Sequence, residues 1–265
     1  MVEIKNPEEI ELMRIAGKLA ADVLVMIEPH VKAGVTTETL DDICLDYIEN
    51  TQHAISACLG YHGYPKCTCI SVNEEVCHGI PGNRVLKNGD IVNIDVTVIK
   101  DRFHGDTSKM FIIGGTTSPI NRRLVSTTQE CLYAALKKIH AGANLTIIGD
   151  TIQHIADREG FSIVRDYCGH GLGTVFHTEP TVLHYRNHNN LMLESGMTFT
   201  VEPMINVGGY KCKVNKKNGW TVTTADKSAS AQFEHTILVT DDGCEILTLR
   251  PEEEAKLSRV LHNLL

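Results

Sequence analysis

The chain has 265 residues, of which 42% are hydrophobic and 22% are charged, and its formal net charge is −8. This length suits one large domain or two small ones, and the composition is that of a globular protein. The acidic balance, without a basic stripe, argues against nucleic-acid binding, and no apolar run approaches the ~20 residues of a membrane span.

The N-terminal segment predicts a long amphipathic helix. Asn6 is a suitable N-cap, Pro7 suits the first helical position, and Glu9 completes a capping-box pattern. Apolar residues then recur at helical spacing until Pro29 ends the helix. The segment 40–47 predicts a second, shorter helix.

Residues 91–113 predict a β-hairpin that carries two acidic residues, Asp95 and Asp106. Residues 91–99 alternate between apolar and polar, with Asp95 on the polar face. A two-residue turn at 100–101 would place the two carboxylates directly opposite each other, with roughly 4.5–5.5 Å between Cβ atoms. A turn at 101–102 would make them diagonal neighbours about 7–8 Å apart, and a three-residue loop would put them on opposite faces.

Two carboxylates on one face of a hairpin repel each other, so one of them takes up a proton unless a cation lies between them. The alternative is a solvated polar face, which is typical of half-buried strands. The hairpin alone favours a solvated polar face slightly over a cation-binding site.

A faint repeat with a period of 108 residues indicates two similar halves. Ala33-Gly34 and Asp42 match Ala141-Gly142 and Asp150, and in both places a helix precedes the Ala-Gly pair and another follows it. The helices of the second copy are predicted over 124–139 and 147–158. The match is sparse enough for chance to explain it.

The second half of the chain is richer in strands. Candidates are 162–166, 197–202, 231–240 and 244–249, the last two joined by a tight turn at Asp242-Gly243. Helices beside hairpins, without regular βαβ alternation, predict an α+β fold with a largely antiparallel sheet. No Pro-rich linker divides the chain, so we expect a single domain over residues 1–265.

The nine cysteines are an odd number without a Cys-x-x-Cys pair, which favours free thiols and a cytoplasmic location over disulfides or a zinc finger. Charged residues follow Met1 closely, so no signal peptide is expected. Cys67-Thr68-Cys69 is a weak metal candidate. We interpret it as part of a cavity wall, because free cysteine behaves as a small hydrophobe.

Chemistry-bearing residues recur in the second half. Three glycines surround His170, and His177 follows seven positions later, which indicates a site loop with unusual dihedrals. The alternatives are incidental histidines or a phosphate cradle, although the glycine spacing fits no such motif. Glu202 ends one predicted strand and Glu234 lies in an apolar one, where an unpaired carboxylate is costly unless it faces an edge.

Together with the hairpin, these residues form a set of four carboxylates and one or more histidines. That set suits Mn²⁺, Fe²⁺, Co²⁺ or Zn²⁺. Four carboxylates exceed the needs of one ion, so they indicate two ions about 3.5–4 Å apart.

The chain resembles the type I methionine aminopeptidases of metallopeptidase family M24 over nearly all its length. The resemblance is carried by 50–81 with its motif Cys58-Leu59-Gly60-Tyr61-His62-Gly63-Tyr64-Pro65, the hairpin, the His170 loop, 197–204 and 232–236. It implies the pita-bread fold, a curved and largely antiparallel sheet flanked by helices, in two pseudo-symmetric halves. The family's five metal ligands fall on Asp95, Asp106, His170, Glu202 and Glu234.

The resemblance also assigns the residues around the metals. Two further active-site histidines fall on His78 and His177. The methionine pocket falls on Cys58, Tyr61, Tyr64, Cys69, Phe176 and Trp220. In some members backbone carbonyls hold a monovalent cation, and those positions resemble Asn73, Glu75 and Ser230.

The implied activity is removal of the N-terminal methionine from nascent chains with a small second residue. Two divalent ions (Co, Mn, Fe, Zn or Ni) would supply a bridging hydroxide that attacks the methionyl carbonyl. Glu202 would shuttle the proton to the leaving amine, His177 would contact the carbonyl oxygen, and His78 the amide nitrogen of the second residue. We expect a cytoplasmic monomer that meets its substrates at the ribosome, without the N-terminal extension of some members.

Two other functions are open to this fold. A proline-specific dipeptidase or aminopeptidase usually carries a second domain ahead of this one and a different His-rich loop. A non-enzymatic binding protein usually loses metal ligands, whereas all five are present here.

Overall fold

The structure is a computed structural model that describes residues 2–254. Residue 1 and residues 255–265 of the predicted domain lie outside the described residues. The helices are α1 (Pro7–Ile27), α2 (Thr37–Asp46), α3 (Pro119–Leu136) and α4 (Thr146–Glu159). Short 3₁₀ turns lie at Glu28–His30, Tyr61–Gly63 and Ile113–Gly115, and one π turn lies at Tyr47–Thr51. None of these helices is long and apolar enough to cross a membrane.

Side-chain caps explain where α1, α2 and α3 begin. Asn6 caps α1 in the predicted capping box, because its side chain accepts from the backbone of Glu9 while the Glu9 carboxylate accepts from the backbone of Asn6. Both α2 and α3 begin earlier than predicted, because Thr36 and Ser118 cap them before the first apolar residues. The repeated helix pair is confirmed, with a left-handed Gly34 and Gly142 in the two connections.

The strands are short apart from those of the hairpin. They are β1 (Ile55–Ser56), β2 (Cys69–Val72), β3 (Glu75–Cys77), β4 (Ile91–Lys100), β5 (Phe103–Ile112), β6 (Ser162–Ile163), β7 (Gly169–Gly171), β8 (Thr178–Val182), β9 (Thr198–Val201), β10 (Met204–Asn206), β11 (Cys212–Val214), β12 (Val222–Thr224), β13 (Ser230–Gln232), β14 (Glu234–Val239) and β15 (Cys244–Ile246). All their pairings are antiparallel, which confirms the predicted sheet.

The main sheet has nine strands in the order β1-β4-β5-β14-β9-β7-β8, with β2 beside β4 and β15 beside β14. Two smaller sheets have the orders β13-β10-β6 and β11-β12-β3. The single strand predicted over 231–240 is wrong, because the chain changes sheets at the buried Phe233: Gln232 pairs with Met204, whereas Glu234 pairs with Ser108.

Each helix pair covers its own part of the main sheet. Leu24 of α1 and Leu40 of α2 share a buried apolar cluster with β4, and α3 and α4 share another with β9 and β14. The hairpin approaches α1 closely at Gly105, where an added Cβ would lie 2.2 Å from the carbonyl oxygen of Ala16. Glycine at this position therefore fixes the hairpin against α1, and the opposite face of the hairpin is left for a site.

Candidate active site

The position of the hairpin turn determines the cross-strand register of the two acidic residues. Asp101 and Arg102 both have positive φ (48° and 75°), so they are the two turn residues, as a twisted two-residue hairpin requires. Thr97 therefore faces Asp106, and Asp95 faces Ser108. The two carboxylates are diagonal neighbours on one face, which is the second predicted register. The solvated alternative is wrong, because Asp106 is only 4% exposed.

The neighbouring strands bring further carboxylates to the same face. Glu234 at the start of β14 pairs with Ser108, so Asp95, Ser108 and Glu234 form a row across three strands. Glu202 follows β9 directly, next to β14. Its oxygens accept from Thr200 at 2.7 Å and from Gln232 Nε2 at 3.2 Å.

His170 occupies a short strand, β7, and not only the predicted loop. Its Nε2 lies 3.5 Å from Asp106 Oδ2 and 3.7 Å from Glu202 Oε1. Its Nδ1 donates to the Gly171 carbonyl at 3.1 Å, and a carbonyl can only accept. In the neutral ring this bond leaves the Nε2 lone pair directed at the carboxylates, as a metal ligand requires.

Burial disfavours charge on these carboxyl groups. It raises the pKa values of Asp95 and Glu234 well above the ordinary range, and Asp106 adds to both shifts. Burial also raises the pKa of Glu202 to about 7, against the effect of His170. Burial lowers the pKa of His170, but the hydrogen bond to Asp106 and the charge of Glu202 outweigh it.

The donor set fits a divalent cation. One ligand atom each from Asp106, His170 and Glu234 lies within 4.8 Å of the other two. Between residues 2 and 254, no lysine or arginine forms an ion pair with any of the four carboxylates. A buried acidic cluster whose basic neighbour is a single histidine keeps all its negative charges only when it also holds a cation, and otherwise its carboxyl groups take up protons.

A cavity of about 420 Å³ opens onto this cluster. Its lining contains every residue predicted as catalytic, divalent-metal or substrate-binding: Cys58, Tyr61, Tyr64, Cys69, His78, Asp95, Asp106, His170, Phe176, His177, Glu202, Trp220 and Glu234. Further lining residues are not among those predicted, including Cys77, Thr97, Tyr167, Met204 and Gln232. Thr97 has a sequence signal, because it shares the polar face of β4 with Asp95, whereas Gln232 has none.

Aromatic rings and thiols form the apolar side of the cavity. Tyr64 meets Trp220 edge-on at 5.1 Å between centroids, and Tyr61 lies 4.9 Å from Phe176. Tyr64 is fixed because its hydroxyl lies 2.9 Å from the Gly79 carbonyl and 3.1 Å from the Thr68 carbonyl, which share its one hydrogen. Cys69 lines the cavity, whereas Cys67 belongs to the buried apolar cluster that contains Leu40 of α2 and does not line the cavity.

The two predicted histidines contact different parts of the cavity wall, and His78 lies against Tyr167 and Trp220. The His177 ring lies 4.1 Å from that of His170, and its Nδ1 is 2.9 Å from the Tyr61 hydroxyl. Burial, followed by the charge of His170, lowers the pKa of His177 to about 4. Burial also lowers the pKa of His78, so both rings are neutral at pH 7.

The positions predicted for a monovalent cation do not line this cavity. Ser230 N donates to the Asn73 carbonyl at 2.9 Å, and the Glu75 carboxylate accepts from Val72 N at 2.7 Å. The three positions therefore adjoin each other, and a cation there stays a prediction.

Comparison with known proteins gives consistent matches. The model of metallopeptidase family M24 matches residues 11–241. The methionine aminopeptidase of Escherichia coli (strain K12) is 62% identical over 254 residues, covering 95% of this chain and 96% of that protein. The crystal structure of methionine aminopeptidase from Rickettsia prowazekii has a TM-score of 0.91 at 51% identity, covering 94% of this chain and 100% of that one.

A more distant likeness concerns the fold alone. The prolidase from Pyrococcus furiosus has a TM-score of 0.73 at 20% identity. The match covers 93% of this chain and 65% of the prolidase.

Proposed function

The chain belongs to metallopeptidase family M24 as a methionine aminopeptidase, and from this premise we propose that the cavity is its active site and that the carboxylate cluster holds two divalent ions. The pita-bread fold is confirmed, and the proline-specific and non-enzymatic alternatives are wrong. The proposal is carried by the donor atoms of Asp106, His170 and Glu234, which lie within 4.8 Å of one another, in a cluster that forms no ion pair with a lysine or arginine between residues 2 and 254.

Five side chains would hold the ions: Asp95, Asp106, His170, Glu202 and Glu234. When bound, divalent ions supply a hydroxide nucleophile at neutral pH and polarise a carbonyl as Lewis acids. The free α-amine of the substrate is the positive group that an acidic cluster attracts, which restricts cleavage to the N-terminus. Glu202 would accept the proton of the attacking water and pass it to the leaving amine.

The two neutral histidines would orient the scissile bond. If the Tyr61 hydroxyl donates to Nδ1 of His177, the proton of that ring is on Nε2, where it can donate to the carbonyl oxygen. His78 lies on the Trp220 side of the cavity, 6.2 Å between ring centroids, and would contact the amide of the second residue. The methionine side chain would enter the thiol- and aromatic-lined region, where sulfur–aromatic contacts add about 0.3–1.5 kcal/mol.

The biological setting follows from the same premise. We infer that the substrates are nascent chains with a small second residue, met at the ribosome by a cytoplasmic monomer. Nine free thiols support a reducing compartment. The adjoining positions Asn73, Glu75 and Ser230 would hold a monovalent cation.

The test is metal-free protein assayed on Met-Ala-Ser and Met-Leu-Ser with Mn²⁺, Fe²⁺, Co²⁺, Ni²⁺ or Zn²⁺ added singly. We expect methionine release from Met-Ala-Ser and slower release from Met-Leu-Ser. N-acetylated Met-Ala-Ser is the control and should not be cleaved, because it lacks the α-amine. No release from either free peptide with any ion would refute the proposed site, and saturation at one ion per chain would refute the two-ion centre.

A further inference from the structure

One buried hydroxyl joins two of the proposed metal ligands. Thr200 lies in β9 and is 0% exposed. Its Oγ1 donates to Glu202 Oε1 at 2.7 Å and accepts from the backbone N–H of His170 at 3.0 Å. A hydroxyl has one hydrogen to donate and lone pairs to accept, so this single group satisfies both residues.

The local strand geometry explains the bridge. Thr200 and Glu202 alternate onto the same face of the chain. The ladder between β7 and β9 has a single pair, Gly171 with Phe199. His170 and Thr200 lie beside this pair, and the His170 N–H donates to the Thr200 hydroxyl and not to a backbone carbonyl of β9.

The other hydrogen bonds of Glu202 do not reach a second ligand, and its approach to His170 Nε2, at 3.7 Å, is too long for a hydrogen bond. Gln232 Nε2 donates to Oε2 at 3.2 Å, and His184 Nε2 accepts from the Glu202 backbone N–H at 3.0 Å. These contacts fix Glu202 itself. Among the hydrogen bonds of residues 2–254, the Thr200 hydroxyl is the group that sets Glu202 relative to His170.

We propose that Thr200 is a positioning residue that holds the backbone of His170 and the carboxylate of Glu202 in register before an ion binds. This inference rests on the proposed metal roles of those two residues. A ligand pair that is already ordered loses less conformational freedom when it closes on an ion. Removal of the hydroxyl would leave a buried N–H and a buried carboxylate oxygen without this partner, and both ligands could then move.

The direct test compares Thr200→Val, which keeps the side-chain shape, with Thr200→Ser, which keeps the hydroxyl. The matched control is Thr198→Val on the same face of β9, because Thr198 is also buried and its hydroxyl donates to the Leu172 carbonyl at 2.7 Å. Calorimetric titration of the metal-free proteins with Mn²⁺ gives the affinity. The visible absorption of the Co²⁺-loaded proteins reports ligand geometry.

We expect Thr200→Val to weaken Mn²⁺ binding between about 10- and 100-fold and to change the Co²⁺ spectrum, with methionine-peptide KM nearly unchanged at saturating metal. Thr200→Ser and Thr198→Val should bind Mn²⁺ within about twofold of the wild type. Thr200→Ala offers a second hydroxyl-free variant if the valine variant does not fold.

The inference is overturned if the hydroxyl-free variants bind Mn²⁺ like the wild type, or if Thr198→Val weakens binding equally. In the second case, weaker Mn²⁺ binding would be a general effect of removing a buried hydrogen bond from β9, and not of breaking the link between Glu202 and His170. Failure of the wild type to bind Mn²⁺ or Co²⁺ would overturn the metal centre itself, so the two proposals fail in different measurements.

Discussion

Asp106 contacts partners through both carboxylate oxygens. Oδ1 accepts from the Thr97 hydroxyl at 2.8 Å, and Oδ2 lies 3.5 Å from His170 Nε2. Asparagine keeps the shape but removes the charge, so Asp106→Asn should lower kcat/KM beyond the roughly 100-fold loss typical of outer-shell changes. Asp95→Asn should behave similarly. Asp101→Asn is the matched control, since the exposed turn tolerates asparagine at positive φ. Near-normal rates in either site variant would contradict the metal role.

The tautomer of His177 depends on one contact. Tyr61→Phe removes the hydroxyl that lies 2.9 Å from His177 Nδ1 but keeps the ring against Phe176. We expect kcat to fall about 2- to 13-fold, the equivalent of one hydrogen bond of about 0.5–1.5 kcal/mol, with little change in KM. Steady-state kinetics measure the split, and Tyr210→Phe on the surface is the control. An unchanged kcat would mean that the hydroxyl does not set the tautomer.

At the scale of elements, a buried ionic network lies behind the ligand strands. Arg250 donates to the Glu253 carboxylate at 2.8 Å and to the Thr107 hydroxyl at 3.1 Å. Thr107 donates to the Glu234 carbonyl at 2.7 Å, and His235 Nε2 lies 3.2 Å from Glu253. The network therefore joins β5 and β14, the strands of Asp106 and Glu234, on the side away from the cavity.

This network should make stability depend on pH through Glu253. Burial alone raises the pKa of Glu253, but His235 and Arg250 outweigh it and hold that pKa below its ordinary value. A carboxyl group with a lowered folded pKa stabilises the protein above its unfolded pKa of about 4.3, and that stability is lost as pH falls through the folded pKa.

Glu253→Gln should therefore lower the free energy of unfolding by about 3 kcal/mol at pH 7 and by less near pH 3. Urea unfolding at both pH values measures the difference, with the exposed neighbour in Glu254→Gln as control. An equal difference at the two pH values would contradict the ionised role of Glu253.

Sequence patterns predicted some elements better than others. All four helices were predicted, and a capping box also gave the start of α1, because helical patterns and caps are local signals. The change of sheet at Phe233 has no such signal: 231–240 contains no glycine or proline that would mark a break, and only the partners Met204 and Ser108 divide it. The hairpin register was likewise open, because Asp101 and Arg102 carry no glycine to mark the left-handed turn.

At the scale of the whole molecule, the site gathers residues from β4, β5, β7, β14 and the end of β9. The proposed ligands were identified from the resemblance and from carboxylates in apolar strands, and the structure brings them to one cavity. The bridge through Thr200 was not predicted, because it depends on the pairing of β7 with β9, which brings His170 beside Thr200 from a distant part of the chain. Long-range pairing therefore determines the geometry that local sequence leaves open.

The acidic cluster should control the pH dependence of the metal-free protein. Burial raises the pKa values of Asp95 and Glu234, and that of Glu202 to about 7. A carboxyl group with a raised folded pKa stabilises the fold below its unfolded pKa of about 4, and this stability is lost as pH rises through the folded pKa. Metal-free protein should therefore lose stability between about pH 4 and pH 7 or above.

Divalent ions should reverse this loss, because they bind the ionised cluster in the folded state alone. At 100 times the dissociation constant the gain is about 2.7 kcal/mol, or roughly 5–10 °C in Tm, at pH 7.5. The gain should be smaller at pH 5.5, where the carboxyl groups are protonated and compete with the ion. Differential scanning calorimetry with Mn²⁺ or with EDTA at equal ionic strength measures both values. A gain that is equal at the two pH values, or absent at pH 7.5, would contradict a cluster whose charge is balanced by metal.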